Sequence, residues 1–241
     1  LDLPQTTADL PNENGRPCAG DGKPTLTEAL RYSCNTSFGA IGLDLGDQAL
    51  RDQAEKFGFD RDDIDIDIPS ATSRFPAELN APQTAQSSIG QYDVAATPLQ
   101  MAMVAAAIAN GGKVMQPYLV DRILAPDLSQ LDRAEPEELD QAVTPQVASA
   151  LTGMMVDVVA NGTGENAQID GVTVAGKTGT AQVGEGRKPH AWFVSFAPAE
   201  DPKVAVAVLV ENGAGNSEVS GGRLAAPIAK SVMQAVLGSG S

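Results

Sequence analysis

The spacing of apolar positions changes near residue 170. Upstream, apolar residues recur at helical intervals between polar breaks; downstream, they form short continuous runs of strand length. Thr25-Leu26-Thr27-Glu28 is a capping box, with Thr25 as N-cap and Glu28 at N3, and it predicts a short helix over 26–32. A further turn or two is expected over 37–44. Residues 47–57 read as a helix with Gly58 at the C-cap position. Thr97-Pro98 and Thr144-Pro145 each combine an N-cap threonine with proline at the first helical position. They open helices predicted over 98–109 and 145–159. The first is apolar nearly all round, which predicts a central buried helix.

Downstream, 172–175 is short and β-prone, and AWFVSF (191–196) and VAVAVLV (204–210) read as apolar strands. The turns at 183–189 and 198–203 are too short for a parallel crossover, so neighbouring strands must run antiparallel. A helix over 222–237 closes the chain. Residues 1–24 read as an extended surface segment, 113–123 as extended and 124–142 as a polar, acidic excursion. Residues 68–95 form a long irregular stretch ending in Ser87-Ser88-Ile89-Gly90-Gln91, a length that marks functional loops or lids. The pattern predicts one α+β domain: a mostly helical part over 25–165, then over 166–241 an antiparallel sheet with a helix packed on it.

Composition narrows the partners. The 241 residues are 42% apolar and 20% charged, ordinary for a globular chain, with a formal net charge of -15. Such a chain repels phosphate backbones, so nucleic acid is not expected as a partner; the simplest use of the charge is a solubilising surface. No window approaches the roughly 20 apolar residues of a membrane helix. Residues 1–14 are acidic and polar and do not read as a secretory signal, so location must come from other features or from a longer chain. Cys18 and Cys34 lack the spacing and histidine partners of a zinc site, and with His190 as the single histidine a two-histidine metal site is impossible. His190, just before an apolar strand, reads as structural. The cysteines are either two buried thiols or one bridge. Five aspartates within 60–67 resemble half of a calcium loop, but its glycine and closing glutamate are missing, which favours a solvated acidic loop. No metal or cofactor is expected.

One stretch, GVTVAGKTGTAQ (171–182), admits two chemistries. Gly171 to Thr178 fits the phosphate-loop pattern, and Lys177 to Thr180 fits the K-T-G-T of serine acyltransferases that bind penicillin. A phosphate loop needs glycines converging on a helix N-terminus. Here Val172 and Val174 stand where the nest would be, and Gly184 and Gly186 leave no room for a helix. On an edge strand, by contrast, Thr178 and Thr180 share one side, and with Lys177 they offer hydroxyls and a cation to a carboxylate. Gly179 leaves room for close approach, and the Thr180 N–H suits half of an oxyanion hole.

Ser33-Cys34-Asn35 matches S-x-N, and Lys177-Thr178-Gly179-Thr180 matches K-T-G-T. Together with SSIGQYDVAATPLQMAMVAAAIANGG, GTGENAQIDGVTVAGKTGTAQ and HAWFVSFAPA, they make the chain resemble class B penicillin-binding D,D-transpeptidases, most closely actinobacterial ones. The resemblance implies the β-lactamase/transpeptidase-like fold, an antiparallel sheet flanked by helices. It also implies cross-linking of peptidoglycan stem peptides through an acyl-enzyme, β-lactam binding, a membrane glycosyltransferase partner, and location on the extracytoplasmic face of the cell membrane. Ser33 would relay a proton, Asn35 bind substrate backbone, Lys177 supply positive potential and orient Ser33, and Thr178, Gly179 and Thr180 hold the terminal carboxylate. The family's nucleophile is the serine of S-x-x-K, and no serine here has lysine three positions on. The chain is therefore expected to be a C-terminal piece of the transpeptidase domain. The membrane anchor, first sheet strands and nucleophile helix would lie outside it, and the piece alone would be inactive. Within the resemblance, a Cys18–Cys34 disulfide is expected to tether the first segment beside the cleft. The alternatives are a non-catalytic penicillin-recognition module and a D,D-carboxypeptidase or β-lactamase-like hydrolase.

Overall fold

The computed structural model describes residues 1–64, 66–184, 186–213 and 219–238. The first segment holds a 3-10 turn at Glu13–Gly15 and the single-turn α1 (Ala19–Gly22), then come α2 (Leu26–Arg31), α3 (Asn35–Leu45), α4 (Asp47–Lys56), α5 (Ala81–Ser87) and α6 (Pro98–Ala109). Four short strands follow, β1 (Lys113–Met115), β2 (Arg122–Leu124), β3 (Gln130–Arg133) and β4 (Glu138–Gln141), before α7 (Pro145–Asn161). A 3-10 turn at Glu165–Ala167 leads into β5 (Ala175–Ala181), β6 (His190–Ala197) and β7 (Val204–Val210), then α8 (Gly221–Leu224) and α9 (Ala226–Gly238). The architecture is α+β, and the three long strands pair antiparallel in the order β5-β6-β7.

The threonine caps fix where helices begin. Thr25, Thr97 and Thr144 accept the backbone N–H of Glu28, Gln100 and Val147, satisfying donors that the first helical turn leaves unpaired. Glu28 completes the capping box on the Thr25 N–H at 2.8 Å.

Strand alternation gives the sheet two apolar faces. Phe193 and Val206 face α9, where Met233 is fully buried and its sulfur accepts from Ser195 Oγ at 3.5 Å. Phe196, Ala175 and Ala205 face the other way, against Met155 of α7 and Ile108 of α6. Helices on both faces hold β5 rigidly at the sheet's edge.

Several segments differ from the sequence expectation. Residues 68–95 are not wholly irregular: Asn80 and Gln83 form a second capping box that opens α5. That helix has seven residues, too short for apolar periodicity to reveal. The excursion over 124–142 contains β3 and β4, which pair with β2 and β1 in two small sheets; β2 and β3 are exposed, whereas β1 and β4 bring Val114 and Leu139 to a core cluster. The closing helix breaks at Ala225, two residues before Pro227. In the first segment, Leu3 and Leu10 are buried against Ala85, with Leu43 and Ile89 packed around them. Isolated leucines in a polar stretch carry no periodic signal.

Within 60–67, Asp65 lies outside the described residues, as does Glu185 in the 183–189 turn. Asp60, Asp63 and Asp67 each serve protein donors. Asp60 accepts the Phe75 N–H, Asp67 accepts those of Leu119 and Val120 at 2.9 Å, and Asp63 pairs with Arg61. Among the described residues, no group of three or more His, Cys, Asp or Glu side chains is arranged to hold a metal.

Gly221 lies directly on the backbone of β5 and β6. A Cβ there would overlap the Trp192 carbonyl oxygen and stand 2.8 Å from that of Gly179. Neither atom can rotate away. Gly221→Ala is expected to destabilise the chain by about 2 kcal/mol, the scale of overpacking a closed interior. An unchanged urea midpoint would contradict this packing.

Candidate active site

Ser33 stands at the exit of α2. The N–H groups of Ser33 and Cys34 donate to the carbonyls of Leu30 and Ala29 at 3.2 and 2.9 Å, the Schellman pattern that ends many helices. Glycine is usual at the left-handed position of this motif; here it is Ser33, with φ of 57°. A non-glycine residue held there carries a modest backbone cost, one it shares with residues such as Glu78 and Leu128. The chain then turns at once into α3, with Asn35 at its first position.

Lys177 lies on β5, 144 residues away, and its Nζ donates to Ser33 Oγ at 2.8 Å. The same ammonium donates to the Thr178 carbonyl at 2.8 Å. Burial lowers its pKa from the ordinary lysine value of 10.5 to about 8, partly opposed by the Glu13 carboxylate. Two motifs read separately in the sequence therefore meet through one hydrogen bond.

The backbone of β5 adds donors. Thr178 O receives Lys177 Nζ and Thr180 O receives Gln91 Nε2 at 3.2 Å, so both residues direct their polar backbone groups away from β6. In a paired strand the N–H of a residue points the same way as its C=O. The Thr180 N–H thus lies on the open edge, as an oxyanion donor requires. Gly179 faces Trp192, where a Cβ would stand 3.1 Å from the Trp192 Cβ.

Lys177, Thr178 and Asn35 make contacts that the sequence did not specify, whereas His190 is structural as expected. Lys177 and Thr178 leave opposite faces of β5, and only the reach of the lysine brings its Nζ round to the strand edge. Thr178 is 9% exposed, and its hydroxyl lies 2.7 Å from that of Thr163. The Asn35 amide donates to the Pro11 carbonyl at 3.1 Å and ties the first segment down. His190 Nδ1 accepts the Asn212 N–H at 3.0 Å, a structural use. Phe193 is fully buried in the core.

Cys18 and Cys34 form a disulfide, with Cα atoms 5.9 Å apart. It anchors the 11–20 segment beside Ser33, and the two together line an open cavity of about 480 Å³ with Asn12, Glu13 and Tyr32.

Sequence reasoning missed the parts that hold α2 against β5. Arg31 forms an ion pair with Asp157 of α7; each raises or lowers the other's pKa towards the charged form, chiefly through their hydrogen bond. The Thr163 N–H donates to the Arg31 carbonyl at 3.3 Å, and a Cβ on Gly162 would stand 2.6 Å from that same oxygen. The available signal was Gly162-Thr163-Gly164, a glycine pair around a polar residue, which reads equally well as a plain helix end.

A profile described as the penicillin-binding protein transpeptidase domain matches residues 8–234. The chain belongs to this family. It is 46% identical over 242 aligned positions to the peptidoglycan D,D-transpeptidase PbpA of Mycolicibacterium smegmatis, covering 99% of this chain and 49% of the relative. The Mycobacterium tuberculosis PbpA is 44% identical, with 98% and 49% covered. Among solved structures, the ceftriaxone acyl-enzyme complex of M. tuberculosis penicillin-binding protein A superposes with a TM-score of 0.93 at 44% identity, covering 98% of this chain and 54% of that one. The penicillin G acyl-enzyme complex of the same protein gives 0.90 at 44% identity, with 98% and 53% covered. The chain spans about half the length of the curated relatives it matches. The transpeptidase resemblance and its α+β fold are thus borne out, with actinobacterial relatives among the matches.

Three outcomes follow from the site. One lysine resonance in a ¹³C-methylated sample is expected to titrate near pH 8 and to vanish in Lys177→Arg; titration of every lysine near 10.5 would refute the burial argument. The sign for stability is also fixed. The unfolded chain keeps this proton up to about 10.5, so the contribution of Lys177 to stability rises between pH 8 and 10.5. Separately, unfolding and alkylation without reductant should leave the intact mass unchanged, whereas reduction should cost about 3 kcal/mol by freeing the unfolded chain from the cross-link.

Proposed function

We propose that the chain is the C-terminal part of a peptidoglycan D,D-transpeptidase domain. The observation that carries this reading is the 2.8 Å bond from Lys177 Nζ to Ser33 Oγ, beside an edge strand whose Thr180 N–H faces outward. In the proposed reaction a serine nucleophile from a segment outside these 241 residues attacks a stem-peptide D-Ala-D-Ala and releases D-Ala. An amine of a neighbouring stem then attacks the acyl-enzyme, and two easier steps replace one difficult step. Ser33 relays a proton towards the leaving group, since Lys177 both donates to its Oγ and fixes its direction. Thr178 and Thr180 hold the terminal carboxylate, Asn35 holds substrate backbone, and the Thr180 N–H stabilises the oxyanion.

The outer edge of β7 supports the partial-domain reading. Its seven residues, VAVAVLV, pair with no further strand among the described residues. An unpaired apolar edge is a template for pairing, and upstream strands of the same protein are the proposed occupants. The whole protein would work on the extracytoplasmic face of the membrane, anchored by an upstream segment and partnered by a membrane glycosyltransferase. Residues 1–24, 25–165 and 166–241 would be parts of one domain.

The test is labelling of the full-length protein with a fluorescent penicillin. A stable adduct is expected, on a serine outside this chain. Ser33→Ala and Lys177→Ala should each slow its formation at least about a hundredfold, the range of positioned acid–base groups. The 241-residue chain alone should stay unlabelled. Failure of the full-length protein to form any adduct would overturn the reading, and rapid release of the label would replace it with a hydrolase.

A further inference from the structure

The Thr178 hydroxyl is assigned above to a substrate carboxylate, yet it is already engaged. Thr163 Oγ1 lies 2.7 Å away, and either hydroxyl can be the donor. Thr163 Oγ1 also lies 3.5 Å from the Arg31 carbonyl oxygen. Each hydroxyl has one proton to give, so the pair has two arrangements. In one, Thr178 donates to Thr163, which donates to Arg31. In the other, Thr163 donates to Thr178, and the Thr178 proton is released for an outside acceptor. A carboxylate accepts only, so it can bind Thr178 only in the second arrangement. A hydroxyl that is itself receiving a hydrogen bond is also a stronger donor, because successive bonds polarise one another.

The placement of Thr163 does not rest on its hydroxyl. Its N–H donates to the Arg31 carbonyl at 3.3 Å, and its own carbonyl is covered by Gly222, where no Cβ would fit. Asn166 Nδ2, from the same turn, donates to the Gly222 carbonyl at 2.9 Å. The backbone of 162–166 is therefore pinned to α2 and to the start of α8. The hydroxyl is left to serve Thr178.

We propose that Thr163 is a positioning residue that sets the donor direction of Thr178, so that the pair reverses when a carboxylate-bearing substrate or β-lactam binds. This rests on the transpeptidase reading above, and adds to it a residue that neither short motif contains. Thr163→Val keeps the branched shape and the backbone and replaces the hydroxyl by a methyl group. Thr163→Ser restores it.

The test measures covalent acylation of the full-length protein by benzylpenicillin and by its methyl ester, in which the carboxylate is masked. Thr163→Val is expected to slow acylation by the acid about fivefold, the factor carried by one neutral hydrogen bond, here the one that orients the Thr178 hydroxyl. It should leave the slow reaction with the ester unchanged, and Thr163→Ser should recover most of the rate with the acid. Equal losses for acid and ester would mean a merely structural role and would overturn the proposal, as would no loss with either or no recovery by serine. Absence of acylation in the unsubstituted protein would instead remove the transpeptidase reading, and this proposal with it.

Discussion

A half-buried lysine ammonium on a strand edge is the constraint around which this chain is arranged. Lys177 gains little from solvent, and its bonds are to Ser33 Oγ and the Thr178 carbonyl. Burial lowers its pKa to about 8, with the Glu13 carboxylate opposing the shift. For the contact to persist, the end of α2 must stay within ångströms of β5, although the two elements share no continuous backbone. The ion pair of Arg31 with Asp157 and the bond from the Thr163 N–H to Arg31 clamp α2 onto the end of α7. The Thr163 and Thr178 hydroxyls then join that end to β5.

Clamping at such range needs backbone against backbone, and glycine is what permits it. Gly162 abuts the Arg31 carbonyl, Gly222 that of Thr163, and Gly221 those of Trp192 and Gly179. A methyl group at any of these positions would push apart elements that the site needs close. Their role is space, not left-handed geometry. Ser33 is the opposite case: a side chain kept where glycine would be easier, with the strain offset by the Schellman bonds beneath it. The Lys177 ammonium donates to an Oγ at that point, which glycine could not supply.

How much could be read from sequence follows from this division. Capped helices at Thr25, Thr97 and Thr144 were legible, because capping is local and carried by the side chains of a few neighbouring residues. So were β6 and β7, whose apolar runs exceed anything a loop tolerates. The contact between Ser33 and Lys177 was legible only from the two motifs jointly, since neither residue type is informative alone. What escaped was long-range or sub-periodic: α5 with seven residues, the buried Leu3 and Leu10, and Thr163. Thr163 acts through its contacts with Arg31 and Thr178, and no spacing rule announces a contact across 132 positions.

The overall charge makes the local arrangement more demanding. With a net charge of -15, the chain as a whole repels the carboxylate that the proposed site must accept. Screening confines that repulsion to a Debye length of about 8 Å at physiological ionic strength. Inside that distance only short-range donors count. Lys177 supplies one positive charge, weakened because burial favours its neutral form and because Glu13 lies near. Oriented hydroxyls cost no net charge and need no desolvation of an ion, so they complement a half-buried ammonium better than a second lysine would. A second cation within a few ångströms would lower the pKa of Lys177 further and discharge it near neutral pH. A threonine pair with reversible donor direction avoids that conflict, which gives a physical reason for β5 to follow its lysine with hydroxyls.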